Sequence, residues 1–484
     1  MIDTQSAMKL PLGQALTWLS QARGVRLQDV TVDRIHTDSR SLQQGDLFVA
    51  LRGERFDGSQ FMAQAKAQGA VAVVCEASGE ALAMAQGLPA LVVPDARIAL
   101  GELAAAWRAQ FDLPLIAVTG SNGKTTVTQM IASILRTHVG PDALSTQGNL
   151  NNDIGVPLTL FNLRAHHRMA VLEMGMNHPG EIAALAAMAK PTVAMVNNAQ
   201  REHQEFMGTV EAVALENGAV LQALPVNGVA LFPSDEEFTP IWQHLSGRRH
   251  QRTWSMSAEP VSADVRAVDA RWQAGAWHFN LQAGADTVSV SLHIAGRHNV
   301  KNALAASACT LAAGVPLAVV AQGLQAFEPV KGRSRAMALR AKEHDLTLVD
   351  DSYNANPDSV RAAIDVLAEL PAPRLMVLGD MGEVGDQGPQ FHAEVGAYAA
   401  ERGLDALYTL GDLCVHASEA FGQPHHFADM DRLLAAVVQN IDQFQSVVVK
   451  GSRFMKMERV IEALQSPDLK LALHQNSTRE AHAA

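Results

Sequence analysis

The stretch Leu115-Ile116-Ala117-Val118-Thr119-Gly120-Ser121-Asn122-Gly123-Lys124-Thr125-Thr126 constrains this chain more than any other. An apolar run of strand character enters a turn of small and polar residues. Val127, Met130, Ile131, Ile134 and Leu135 then recur at helical spacing, so a helix with one apolar face comes next. Strand, Gly-containing turn, Gly-Lys-Thr and helix form the arrangement of a phosphate-binding loop. Backbone N–H groups and a helix N-terminus face the phosphates, Lys124 supplies charge, and the Thr125 hydroxyl suits Mg²⁺. One position is off the standard pattern: Val118 stands where an early Gly is usual.

The chain around this loop alternates. Ala170 to Met174 reads as a buried strand ending in a carboxylate at Glu173, and Thr192 to Val196 as another ending at Asn197-Asn198, with a helix opening at Pro179 between them. Such alternation makes a parallel sheet with crossover helices, whose ligands bind at the C-terminal ends of the strands. The loop, Glu173, Asn197 and His203 are therefore expected on one edge. The amide-rich run Gln147 to Pro157 suits a functional loop. Between about residues 226 and 295 the alternating segments Trp277–Leu281 and Val288–Leu292 predict antiparallel strands added to that sheet.

Strand-like runs at Leu47–Leu51, Ala70–Val74 and Ala90–Val93 make a first unit, with a helix from Ser59 to Gln68. From about residue 336 a third unit again ends its strands in polar clusters: Asp350-Asp351, Gly379-Asp380 and Lys450-Gly451-Ser452-Arg453. The expectation is an α/β protein of three domains, residues 1–97, 98–335 and 336–484, with a frayed tail from about residue 466.

A formal charge of −12 without a basic run argues against nucleic acid. Cys75, Cys309 and Cys414 lie too far apart in sequence for a metal framework and read as reduced, buried residues of a cytoplasmic protein. No apolar run reaches the roughly 18 residues of a membrane span, so no membrane insertion is expected. His166-His167 and His425-His426 read as solvated pairs, and Glu202, Glu205 and Glu211 as surface charge around the His203 loop.

Taken together, these clusters resemble the Mur ligases, ATP-dependent amide-forming enzymes of peptidoglycan precursor synthesis. The resemblance runs through Asp38-Ser39-Arg40 and Gly45 to Leu51, Thr119 to Thr126, Gly148 to Pro157, and Leu172 to Gly175. It continues through Gly296 to Asn299, Asp350 to Asn356, Gly379 to Glu383, and Lys450 to Arg453. The Gly-Asn-Leu-Asn-Asn-Asp and Asp-Ser-Tyr-Asn-Ala-Asn runs look like the D-alanyl-D-alanine-adding branch, and Val118 is then a family trait.

The resemblance implies an N-terminal α/β domain for the UDP-sugar, a central P-loop ATPase-like parallel sheet with added antiparallel strands, and a C-terminal Rossmann-like domain. It implies ATP and Mg²⁺, with UDP-N-acetylmuramoyl-tripeptide and D-alanyl-D-alanine as substrates, and a monomer. By the same carry-over, Lys124, Glu173 and His203 are catalytic. Gly120, Ser121, Asn122, Gly123, Lys124, Thr125 and Thr126 bind ATP, with Asn299 and Asn302 at the base or ribose, Asp351 at the ribose and Arg333 at phosphate. Ser39, Arg40, Asn149, Asn151 and Asn152 are implied for the UDP-substrate. Tyr353, Asn354, Asn356, Lys450 and Ser452 are implied for the amine and for closure.

Thr125, Glu173 and His203 are the implied metal ligands. Many members carry a carbamylated Lys near a second metal where this chain has Asn217, and no Lys lies between Lys190 and Lys301. Either the neighbouring Glu216 is the expected substitute for that charge, or Mg²⁺ keeps an extra water. Two other readings fit the phosphate loop: a ligase on the same plan such as folylpolyglutamate synthase, and a non-catalytic nucleotide-binding regulator of cell-wall assembly. An amine screen separates the first, and substrate-dependent phosphate release excludes the second.

Overall fold

The computed structural model describes residues 7–466 apart from 28, 54, 55, 257–262, 274, 341–343 and 424. The tail expected beyond residue 466 lies outside the described residues. Among the described residues three larger sheets, each flanked by helices, carry the chain beside a two-stranded ladder of Leu10–Pro11 with Thr31–Val32. The first has five strands in the spatial order Arg23–Val25, Ala90–Val93, Ala70–Glu76, Asp46–Val49, Arg34–His36, all parallel except Arg23–Val25.

The central sheet has nine strands. Its parallel part runs Ala143–Ser145, Met169–Glu173, Leu115–Thr119, Val193–Val196, Val229–Pro233, His250–Ser255, Val265–Gln273. Ala276–Ala283 and Asp286–Leu292 then extend it antiparallel, as the alternating residues predict. The three strands around the phosphate loop are buried along their whole length, which is why they read as continuous apolar runs. The third sheet has six strands, parallel except for the edge strand Arg335–Arg340. The expected α/β architecture is borne out.

The helix Lys124–Val139 buries Val127, Met130, Ile131, Ile134 and Leu135 against Ile116 and Val118 of the central sheet, the face that the spacing predicts. The helix Ala96–Arg108 starts on an Asp95 cap and buries Ala99, Leu100 and Leu103 in a core that contains residues of both the first and the central sheet. The helix expected to open at Pro179 begins later, at Glu181 behind Gly180. The glycine is in the left-handed region, which a helix interior does not allow. No helix of the described residues is long and apolar enough to cross a membrane.

Register fixes the functional edge. Leu172 pairs with Ala117, Glu173 with Val118, and Val196 with Thr119. Three neighbouring strands therefore end level with one another, and the loops that leave them share one edge of the sheet.

Candidate active site

The loop after Leu115–Thr119 depends on two glycines. Gly120 has φ +127° and Gly123 φ +83°. A Cβ at Gly120 would sit 2.9 Å from the Asn197 backbone nitrogen, and one at Gly123 2.5 Å from Asn302 Oδ1. Both positions need a residue without a side chain for conformation and for space. Gly123 offers the helix no side-chain cap, so the first-turn N–H groups of Lys124–Val139 are open to an anionic ligand.

Amides hold the loop from behind. Asn197 Nδ2 donates to the Asn122 carbonyl at 2.8 Å and to Asn302 Oδ1 at 3.0 Å, and Asn302 Nδ2 donates to Asn299 Oδ1 at 2.8 Å. Asn299 and Asn302 are almost fully buried and are absent from the cleft wall. They scaffold the loop, their side-chain groups paired inside the protein, where the sequence leads one to expect a base or ribose contact. Asn217 acts from beneath: its Oδ1 accepts from Thr119 Oγ1 at 2.6 Å and from the Gly120 N–H at 3.0 Å.

Glu216, one residue earlier, points elsewhere. Its carboxylate accepts from the N–H groups of Gly180 and Ile182, both at 2.8 Å, and so caps the helix Glu181–Ala189. The expectation that Glu216 serves a metal is corrected: successive helical residues diverge by about 100°, so Asn217 faces the loop and Glu216 cannot.

In front of the loop lies a cleft of about 1020 Å³. Ser121, Asn122, Gly123, Lys124, Thr125, Asn149, Asn151, Asn152, Glu173, Glu202, His203, Arg333, Tyr353, Asn354, Asn356 and Lys450 all line it. Lys124 Nζ donates to the Gly120 carbonyl at 2.6 Å, the Ser121 carbonyl at 3.0 Å and Glu202 at 2.9 Å. Glu202 is 11% exposed, so its reading as surface charge is overturned. Burial pushes the Glu202 carboxyl up, but Lys124 and His203 outweigh it and hold it below the usual range. His203, at φ +51°, stands 3.5 Å from Glu202 and 2.7 Å from Glu383 of the third unit. Burial lowers the imidazole pKa, and the two carboxylates more than reverse this, raising it to about 9.

Glu173 is 2% exposed. It accepts from Thr125 Oγ1 at 3.2 Å and Asn151 Nδ2 at 2.8 Å, both neutral. A buried carboxylate with neutral partners beside a hydroxyl is a hard-oxygen donor set suited to a divalent cation.

The third unit closes the cleft. Asn122 and Asn356 exchange side-chain hydrogen bonds at 3.0 and 3.3 Å. Arg201 forks onto Asp358 at 2.6 Å and Glu394 at 2.7 Å. Arg333 reaches Thr125 Oγ1 at 3.4 Å and lies over the Tyr353 ring at 4.2 Å. Asp351 is committed to Lys450 at 2.6 Å and to the Ser334 N–H at 3.0 Å, and is not in the cleft wall. The sequence leads one to expect a ribose contact for Asp351; in this structure its carboxylate braces Lys450 and Ser334. Ser452 is likewise turned inward, accepting from the Gly382 N–H at 2.7 Å, so it shapes the wall without lining it. Ser39 and Arg40 are not in the cleft wall; Ser39 bonds Gln64 at 3.1 Å, and Arg40 pairs with Asp38 at 2.8 Å. That pair holds the Asp38 carboxyl down at about 2.

Arg201 goes unmarked in the sequence, Glu202 reads there as surface charge, and Glu383 only closes a motif. The available signal was position: Arg201 and Glu202 come just after a strand already expected at the site edge.

A second cluster invites a metal. Ligand atoms of Asp380, His392 and Cys414 lie within 4.8 Å of one another, all buried. Yet Asp380 accepts from the N–H groups of Cys414 at 2.8 Å and Leu413 at 3.3 Å. His392 Nε2 accepts from the Met381 N–H at 3.0 Å, which leaves the proton on Nδ1, facing the Gly388 carbonyl at 2.6 Å. Burial pushes the Cys414 thiol well up. Every strong donor and acceptor there is spent on the fold. Cys75, Cys309 and Cys414 are all unpaired and buried, as the sequence predicts.

Known families match along the whole of this architecture: the Mur ligase family catalytic domain over residues 31–108, the Mur ligase middle domain over 118–310, and the Mur ligase glutamate ligase domain over 335–453. The UDP-N-acetylmuramoyl-tripeptide–D-alanyl-D-alanine ligase of Escherichia coli is 41% identical over 90% of this chain and 94% of its own. This chain belongs to the Mur ligase family. The Bacillus subtilis ligase of the same name is 32% identical to this Mur ligase, over 90% of this chain and 94% of its own. The MurF crystal structure from Acinetobacter baumannii superposes with a TM-score of 0.87 at 33% identity, covering 95% of this Mur ligase and 100% of that chain. MurF from Thermotoga maritima in complex with ADP matches at TM-score 0.77 and 25% identity, covering 91% and 98%.

Proposed function

We propose that this Mur ligase joins D-alanyl-D-alanine to UDP-N-acetylmuramoyl-tripeptide at the expense of ATP, in peptidoglycan precursor synthesis. The observation that carries the reading is the single cleft in which a phosphate loop, a buried carboxylate and cations from two units converge, in a chain that spans nearly the full length of relatives bearing that name. In this reading the chain works as a monomer in the cytoplasm.

The peptide carboxylate oxygen bonds to the γ-phosphorus while the bridge from that phosphorus to the β-phosphate oxygen breaks, releasing ADP and leaving an acyl phosphate. The dipeptide amine then attacks the acyl carbon, loses a proton to solvent and expels inorganic phosphate. Both partners of the first step are anions, so the site must supply cations and oriented donors. Lys124 and the first-turn N–H groups bind the β- and γ-phosphates, and Arg333, at the junction with the third unit, brings further charge. Thr125 and Glu173 would hold Mg²⁺, with His203 joining them on giving up its proton; the ion when bound neutralises charge on the transferring phosphate. Asn151 orients Glu173. Tyr353, Asn354, Asn356 and Lys450 form the wall for the amine, and the first unit, with Ser39 and Arg40, is the place for the UDP group.

The test is phosphate release by the purified chain. Release should require ATP, Mg²⁺, the UDP-tripeptide and D-alanyl-D-alanine together. Release with glutamate in place of the dipeptide, or without the UDP-tripeptide, overturns the reading.

A further inference from the structure

We propose that Glu202 is an exchangeable counter-charge: it neutralises Lys124 while the phosphate loop is empty, and on nucleotide binding it becomes, beside His203, a carboxylate ligand of the cation that accompanies the terminal phosphate. The inference rests on the ATP-dependent reading above and adds to it a residue and an order of events.

An ammonium group has three N–H donors. On Lys124 all three have acceptors within bonding distance: the carbonyls of Gly120 and Ser121 and the Glu202 carboxylate. A phosphate cannot gain this cation without displacing one of them. The two carbonyls belong to the loop itself, whose shape is fixed by Asn217 under Gly120 and by Asn197 and Asn198 behind Asn122. Glu202 lies on a different loop and reaches Lys124 only through its side chain.

That neighbouring loop cannot swing away as a whole. Arg201 is clamped to Asp358 and Glu394, its own N–H donating to Asp358 at 2.9 Å, and His203 is tied to Glu383. A carboxylate released from Lys124 therefore stays in the cleft wall, next to an arriving phosphate. Two anions at such range in a partly desolvated site repel strongly. The imidazole at 3.5 Å is already shared with Glu383 and cannot compensate alone. A hard divalent cation ligated by carboxylate and phosphate oxygens resolves the conflict. Glu202 thereby takes the metal role that the sequence had assigned to Glu216, whose carboxylate is spent on a helix cap.

Two equilibrium measurements test this without turnover, on the full chain with a non-hydrolysable ATP analogue. The variants are Glu202→Gln, Glu202→Ala as a second substitution in case the first disturbs folding, and Glu205→Gln, an exposed, charge-matched control on the short helix Gln204–Met207 that follows. In EDTA, the Glu202 variants should bind the analogue roughly tenfold more tightly than the parent, because the internal competitor for Lys124 is gone. With Mn²⁺ as probe, counted by electron paramagnetic resonance, they should retain one fewer ion per chain in the nucleotide complex. Glu205→Gln should match the parent in both. Unchanged affinity in EDTA or an unchanged Mn²⁺ count in the Glu202 variants overturns the proposal. A parent chain that binds no analogue overturns the ATP-dependent reading instead.

Discussion

The phosphate-loop cluster and the Asp380–His392–Cys414 cluster are made of similar chemistry. Both set a carboxylate at or just past the C-terminal end of a strand, where ligands collect, and bring an imidazole close by. They differ in where their hydrogen bonds go. Asp380 and His392 satisfy backbone N–H and C=O groups of their own unit, partners that no ligand can replace without unfolding a helix start. Around the loop, Lys124 pairs with Glu202, Asn122 with Asn356, His203 with Glu383 and Arg333 with Thr125. Those are side-chain partners, two of the four pairs reaching into another unit, and a ligand can substitute for each. Residue type does not distinguish a binding site from a staple; the replaceability of its partners does.

That contrast can be broken by experiment. Lys124→Ala should lower ligation by about three orders of magnitude or more, with only the local stability loss of a stranded Glu202 carboxylate; a steady-state assay beside a thermal melt reads both. Asp380→Ala should do the reverse, costing about 2–3 kcal/mol of stability through two stranded helix N–H groups, with nucleotide affinity little altered. Denaturant unfolding and nucleotide titration measure these, and Zn²⁺ bound stoichiometrically at His392 and Cys414 would erase the distinction altogether. Arg201→Ala sharpens the comparison from the interface side. Loss of the fork to Asp358 and Glu394 should reduce kcat/KM about tenfold and increase the radius of gyration in small-angle scattering.

The smallest effect expected is electrostatic. Arg201 holds the Glu394 carboxyl below its ordinary value of 4.5, chiefly through their hydrogen bond. A depressed carboxyl stabilises the folded form above the unfolded pKa, and that contribution disappears as pH falls through the lower folded value. Parent and Glu394→Gln should therefore differ by a constant amount above about pH 5 and converge below 4.5 in paired melts.

The sequence made the site edge legible because strand ends are marked by a change from apolar to polar residues. Glu173, Asn197 and the loop itself were found that way. Glu202 was not, since its burial depends on Lys124, 78 positions earlier, and no local pattern carries that contact. Asn299 and Asn302 have the chemistry of ligand-binding amides, and only the packing behind Gly123 reveals them as scaffolding. Glu216 was chosen for adjacency along the chain, which on a helix places two side chains on different faces.

The antiparallel extension of the central sheet has an optical consequence. All six tryptophans precede residue 336, so the third unit is dark at tryptophan wavelengths. Trp272, on the strand Val265–Gln273, packs against that unit's core as well as its own. Separation of the two units would bring this one indole into water and shift its emission to the red, while Trp242 and Trp254 stay fully enclosed. The molecule thus carries a native fluorophore at the seam between the two units, and stopped-flow emission would time any separation of them without a label.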